Sequence, residues 1–167
     1  MVLPGNPDSR DTVLVPSPRV RMACRRWCLV HSIKGVGVAV DANVLIVDDS
    51  PVIVSTLRRM LSSQGCCVEA CHDGEAGWQH LLAGASGTVP LPDVLLLDLN
   101  MPGTDGLTLL GRIRDQEQLA ELPVIVITGE TDLDLRSEAL GAGADDYLFK
   151  PVELMDLVTR VKAWSTG

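Results

Sequence analysis

From residue 42 onward, short unbroken aliphatic runs alternate with segments in which apolar residues recur every three or four positions. Asn43-Val44-Leu45-Ile46-Val47 is the first run, and it stops at Asp48-Asp49. Ser50-Pro51 then offers a helix N-cap followed by a proline at the first helical position. Ile53, Val54, Leu57, Met60 and Leu61 trace one helical face until Gly65 ends it. Residues 66–71 read as a second strand and residues 74–82 as a second helix. A polar loop rich in Gly and Pro spans 84–92, and Val94-Leu95-Leu96-Leu97 is a third strand ending at Asp98.

The alternation continues to the end of the chain. Residues 106–114 place Leu107, Leu110 and Ile113 on one helical face, and Val124-Ile125-Val126-Ile127 is a strand ending at Thr128. A shorter helix over 133–140 is closed by Gly141 and Gly143. Residues 146–149 form the last strand, which ends in Lys150-Pro151, and 152–164 form the last helix. Five strand–helix alternations predict an α/β fold, a (βα)5 doubly wound five-stranded parallel sheet with helices on both faces and right-handed crossovers. No internal repeat is present.

Composition agrees with that architecture. Of the 167 residues, 46% are hydrophobic but only 3% aromatic, and mean hydropathy is +0.22, so aliphatic side chains must fill the core. The formal charge of −8 (14 basic against 22 acidic residues) opposes direct nucleic-acid binding, which needs a basic face. That charge is unevenly placed. Residues 1–40 hold six basic and two acidic side chains, net +4, so the remainder is net −12.

The first forty residues also contain four of the ten prolines and no sustained period. Residues 1–41 therefore read as an extension outside the domain at 42–167, either a poorly ordered tail or the product of a start codon set upstream of Met22. His31 and Lys34 interrupt its apolar stretch, which argues against a signal peptide. No run approaches the roughly 18 apolar residues of a membrane span, so a cytoplasmic protein without membrane contact is expected. The five cysteines (24, 28, 66, 67 and 71) match no zinc or CxxC spacing and read as reduced thiols.

The candidate chemistry lies where the strands stop. Four of them end in a polar residue: Asp48 with Asp49, then Asp98, Thr128 and Lys150. Taken singly, each reads as a helix cap or loop residue. In an open parallel sheet, however, the carboxyl ends of the strands share one edge, so all five residues converge on one crevice. Three carboxylates there repel one another unless a cation offsets them, and a hard oxygen-preferring ion such as Mg²⁺ would do so. Lys150 adds positive charge and Thr128 a hydroxyl donor. Such a pocket can hold a dianionic tetrahedral group beside one carboxylate, as phosphoryl transfer to an aspartate requires.

Four ordered segments, Val44-Leu45-Ile46-Val47-Asp48-Asp49-Ser50, Asp98-Leu99-Asn100-Met101-Pro102-Gly103-Thr104-Asp105-Gly106, Ile127-Thr128-Gly129 and Gly143 to Pro151, resemble the receiver domain of two-component response regulators over about residues 42–165. The resemblance implies a flavodoxin-like receiver architecture and a phosphorelay role. Asp98 would be the phosphoacceptor, served by a sensor histidine kinase or a histidine phosphotransfer protein. Asp49, Asp98 and the backbone carbonyl of Asn100 would bind Mg²⁺, with Asp48 acting through a metal-bound water. Lys150 and Thr128 would contact the phosphoryl oxygens, and Tyr147 would be the switch aromatic. Asn100 and Glu130 occupy the positions that tune loss of the phosphoryl group, and the pair resembles that of chemotaxis regulators, which lose it quickly.

Arg136, Asp146, Asp156 and Arg160 fall where winged-helix regulators of this family place ion pairs across a homodimer, formed by the last two helices and last strand. By position Arg136 would face Asp156 and Asp146 would face Arg160, although surface pairs within one chain explain the same charges. The chain ends shortly after its last helix, so a stand-alone receiver acting through a protein partner, a phosphorelay or dimerisation is expected, not a conventional enzyme. Two other classes fit less well. A flavodoxin-like electron carrier would need a phosphate-binding loop where Asp48-Asp49-Ser50-Pro51 stands. A haloacid-dehalogenase-like phosphatase would need a second acid at Asn100.

Overall fold

The computed structural model describes residues 40–103, 105–129 and 133–165. Five parallel strands form one sheet in the order β2-β1-β3-β4-β5, with β1 Asn43–Val47, β2 Cys67–Cys71, β3 Val94–Asp98, β4 Val124–Thr128 and β5 Asp146–Phe149. The helices α1 Pro51–Ser62, α2 Gly74–Ala85, α3 Gly106–Asp115, α4 Leu133–Gly141 and α5 Leu154–Ser165 follow the strands in turn.

Because side chains alternate across a strand, each central strand supplies both faces of the sheet. Leu45, Val47, Leu95, Leu97, Val124 and Val126 point to one face, where Leu81 of α2, Leu109, Leu110 and Ile113 of α3 and Ala139 of α4 cover them. Val44, Ile46, Val94, Leu96, Ile125 and Ile127 point to the other, beneath Val54, Leu57 and Leu61 of α1 and Leu157 and Val161 of α5. Burial of each such Leu or Ile contributes about 1.5–3 kcal/mol, so the sheet centre is the stable frame on which the strand ends are mounted.

Several boundaries differ from the sequence reading. Helix α2 runs three residues beyond 82 because Gly84 is not a breaker there. A Cβ on Gly84 would stand 2.8 Å from a methyl carbon of Leu91, so the glycine serves close packing against the following loop. Helix α5 begins two residues later than expected, after the cis Lys150–Pro151 peptide. Ser50 occupies the N-cap of α1 without a side-chain capping bond; its backbone N–H donates instead to Asp48 Oδ1 at 2.8 Å. Side-chain caps occur at Asp73 and Asp105, which accept from the N–H groups of Ala76 and Thr108 at 2.6 and 2.7 Å.

Val40 is buried, and its N–H donates to the Gln64 carbonyl at 2.8 Å, so packing already begins two residues before 42. The first 39 residues of the expected extension lie outside the described residues. Cys66 and Cys71 carry free thiols, whereas Cys67 is disulfide-bonded, against the expectation of reduced thiols throughout. Among the described residues no helix is long and apolar enough to cross a membrane.

Candidate functional site

Strand β1 has β2 on one side and β3 on the other, so the connections leaving β1 and β3 run to opposite faces of the sheet. A crevice opens at the carboxyl ends of β1 and β3, the topological switch point where α/β sheets of this kind bind ligands. Asp48 follows β1 directly, and Asp98 is the last residue of β3. Both are buried, at 2% and 5% exposure, while Asp49 reaches toward solvent. One carboxylate oxygen from each of the three lies within 4.8 Å of the others.

Lys150 closes the group from the far side of the sheet. Its Nζ donates to Asp48 Oδ2 at 2.8 Å and to Asp98 Oδ2 at 2.9 Å. The strands fix this reach, since the Lys150 N–H donates to the Thr128 carbonyl at 2.8 Å and carries the β4–β5 pairing up to the site. Burial works against the charged ammonium. The hydrogen bonds and charges of Asp48 and Asp98 outweigh it, and the amine titrates above its ordinary range. Thr128 is buried at the end of β4, one strand from Asp98.

The loop after β3 is shaped by two constraints. Met101 is buried in the core while Asn100 is exposed, and the Asn100 N–H donates to Asp98 Oδ1 at 3.3 Å. Gly106, the first residue of α3, lies against the phosphoacceptor candidate's own backbone. A Cβ there would stand 2.3 Å from the Asp98 carbonyl oxygen and 2.6 Å from Leu99 Cα. Glycine at 106 is therefore what lets α3 start immediately behind Asp98. Glu130, the other expected tuning residue, lies outside the described residues.

The donor set suits Mg²⁺. Three carboxylates and one ammonium leave a formal charge of −2, and all the carboxylate donors are hard oxygens. The electron-carrier alternative fails on the same feature, because an acidic pocket repels a flavin phosphate. The phosphatase alternative lacks its second acid, since Asn100 has no proton to exchange at neutral pH.

The four residues of the expected dimer face are engaged within one chain. Arg160 donates through Nε to Asp156 Oδ1 at 3.0 Å and through Nη1 to Asp146 Oδ1. The Arg136 guanidinium lies over the Tyr147 ring, 4.0 Å from its centroid. Pairing Asp146 with Arg160 therefore needs no second copy. A further clamp has no counterpart in the sequence reading. Arg114 of α3 donates to the carbonyls of Gly143 and Leu122 at 2.8 and 3.0 Å and to Asp145 Oδ2 at 2.9 Å. Asp145 Oδ2 also accepts the Val124 N–H at 2.7 Å, which ties the starts of β4 and β5 to α3. The adjacent Arg and Asp types gave no period or motif by which to pair them.

A doubly wound parallel sheet with an acidic, lysine-closed pocket at its switch point defines a class of signalling receiver domains, and the sequence profile described as the response regulator receiver domain matches residues 44–162. The chain belongs to that family. It is 37% identical over 123 residues to the response regulator MprA of Mycobacterium ulcerans, covering 74% of this chain and 50% of the relative. The chain thus spans about half the length of such curated relatives. Among solved structures, a candidate response regulator from Chloroflexus aurantiacus is 34% identical with a TM-score of 0.70, covering 76% of this chain and 99% of that one. The receiver domain of the sensor histidine kinase PA1611 from Pseudomonas aeruginosa, solved with a magnesium ion coordinated in its active site cleft, is 29% identical with a TM-score of 0.66, covering 76% and 99%.

Proposed function

We propose that this chain accepts a phosphoryl group on Asp98 from the phosphohistidine of a sensor histidine kinase or phosphotransfer protein, and that the resulting conformational change is read by a partner protein. The observation that carries the reading is the Lys150 ammonium shared between the two buried carboxylates of Asp48 and Asp98. It presents a buried nucleophilic oxygen with a fixed cation beside it.

In the transfer, a carboxylate oxygen of Asp98 attacks phosphorus. The phosphorus–nitrogen bond of the donor breaks, and the imidazole leaves with the electron pair and takes up a proton. Asp48, Asp49, Asp98 and the Asn100 backbone carbonyl are the groups that would hold Mg²⁺, which when bound offsets the carboxylates and the phosphoryl oxygens. Lys150 moves its hydrogen bond from Asp98 Oδ2 to a phosphoryl oxygen. Thr128 donates its hydroxyl to another, and Tyr147 follows Thr128. Asn100 and Glu130 hold the positions that in this family modulate attack of water on the acyl phosphate: water attacks phosphorus, the bond to the Asp98 oxygen breaks, and inorganic phosphate leaves with Asp98 restored as the carboxylate. The phosphorylated state is accordingly short-lived.

Incubation with acetyl phosphate and Mg²⁺, followed by intact-mass measurement, tests the assignment. The wild type should gain one phosphoryl group and Asp98→Ala none. Equal labelling of both would remove Asp98 from the role.

A further inference from the structure

Tyr147 is held on two sides. On the same strand and face, Phe149 meets it edge-on, with ring centroids 5.2 Å apart at 65°. From α4, the Arg136 guanidinium covers the ring at 4.0 Å. The ring is only half-buried, packed against the edge of the core. It can therefore change position without opening the sheet centre, and the guanidinium is one of the contacts that must break when it does. The register links this pair to the site: Phe149 lies opposite Thr128, and Tyr147 opposite Val126.

We propose that Arg136 is a positioning residue that latches Tyr147 in the resting conformation through its cation–π contact, and so sets how readily the acidic pocket commits to a phosphoryl group. The inference rests on the reading of Tyr147 as the switch aromatic. A guanidinium over a partly exposed tyrosine ring biases an equilibrium by about two- to five-fold. A ligand that favours the state in which the ring has moved binds more tightly by that factor once the latch is removed, because the apparent affinity scales with the population of the competent state. Arg136 thereby also connects the position of α4 to the pocket, since the same contact that fixes the ring fixes one turn of the helix above it.

The test is the apparent affinity for beryllofluoride, a phosphoryl mimic, in the presence of Mg²⁺, measured for the full chain and seven variants. Arg136→Gln should tighten binding about two- to five-fold, and Arg136→Lys should do so by less. The Arg136→Gln effect should persist when Tyr147 is replaced by Phe, which keeps the ring, and disappear when it is replaced by Leu, which does not. Tyr147→Phe and Tyr147→Leu alone are the references for the two double variants, and Asp98→Ala completes the set. A shift of equal size on the Leu background would overturn the latch, because it would show that Arg136 acts without the ring. Weakened or unchanged binding in Arg136→Gln would overturn it as well. Failure of the wild type to bind the mimic, or equal binding by Asp98→Ala, would overturn the proposed role of the pocket itself along with the latch.

Discussion

The Nζ of Lys150 stands 2.9 Å from Oδ2 of Asp98, although 52 positions separate the two residues in the chain. Parallel pairing of β3, β4 and β5 places both at one sheet edge, and the same ammonium reaches Asp48. The pocket is thus held by a cation that belongs to the protein, and a divalent ion would share the carboxylates with it.

Replacing that cation separates the two contributions. Lys150→Met leaves Asp48 and Asp98 buried without their counter-charge, which should lower stability in magnesium-free buffer by about 2–4 kcal/mol. The same variant should bind Mg²⁺ more tightly than the wild type, and saturating Mg²⁺ should restore much of the lost stability. Urea unfolding with and without Mg²⁺ measures both. A variant as stable as the wild type without Mg²⁺ would show that the ion pairs contribute nothing.

Asp49 is the member of the cluster that reaches toward solvent, so its carboxylate is available to a metal without being needed to satisfy a buried partner. Asp49→Asn should leave the melting temperature in EDTA unchanged or slightly raised, because one repelling charge is gone. Its Mg²⁺ affinity should fall by at least about tenfold, measured as the loss of Mg²⁺-dependent stabilisation. An undiminished Mg²⁺ response would place the ion elsewhere.

Two glycines in one helix should respond in opposite directions. At Gly106 a methyl group meets backbone atoms that cannot yield, so Gly106→Ala should cost about 1–3 kcal/mol or more and displace the end of β3. At Gly111 nothing lies within 4 Å of the added carbon, so Gly111→Ala should stabilise by about 0.5–1 kcal/mol. Chemical denaturation distinguishes the two, and equal effects would contradict the packing described for Gly106.

Alkaline stability should depend on Cys66. Burial, with the charge of Asp41 adding to it, pushes this thiol from 9.0 up to about 11. A thiol whose folded-state pKa is raised contributes stability that is fully present below the unfolded value and is lost as pH rises through the folded one. The loss should fall between about pH 9 and pH 11. Cys66→Ala should flatten unfolding free energy across that window, and the wild-type thiol should resist alkylation at pH 8 in the native state. Rapid native-state alkylation at that pH would contradict the burial argument.

How much of this was legible beforehand differs between the sheet and the contacts around it. The strand-ending residues Asp48, Asp98, Thr128 and Lys150 could be grouped from sequence because a parallel sheet forces their carboxyl ends to one edge, whatever the separation in the chain. The Lys150 bridge needed distances, but its partners were already on that edge. Arg114, Gly106 and Arg136 were a different matter. Each acts across two elements whose approach is set by packing, and an arginine on a helix surface carries no mark that says whether it meets a carbonyl, a carboxylate or a ring. Gly84 is ambiguous for the same reason, since glycine as a breaker and glycine as a close contact look alike in sequence, and only the neighbouring Leu91 separates them. At Ser50 the residue type suggested a side-chain cap, and the carboxylate of Asp48 takes the local backbone N–H instead.

The lifetime of the phosphorylated state offers a check that needs no substitution. Asn100 is exposed beside Asp98, so on the proposed assignment a phosphoryl group on Asp98 should be lost within minutes in Mg²⁺ without any phosphatase. Persistence for hours would contradict it.

The most direct test of the central claim is reductive trapping. The chain is incubated with acetyl phosphate and Mg²⁺, treated at once with borohydride, which reduces an aspartyl phosphate to homoserine, and mapped by peptide mass spectrometry. The account predicts homoserine at position 98 and at no other aspartate. Homoserine at 48 or 49, or none at 98 in protein shown by intact mass to be phosphorylated, would contradict it.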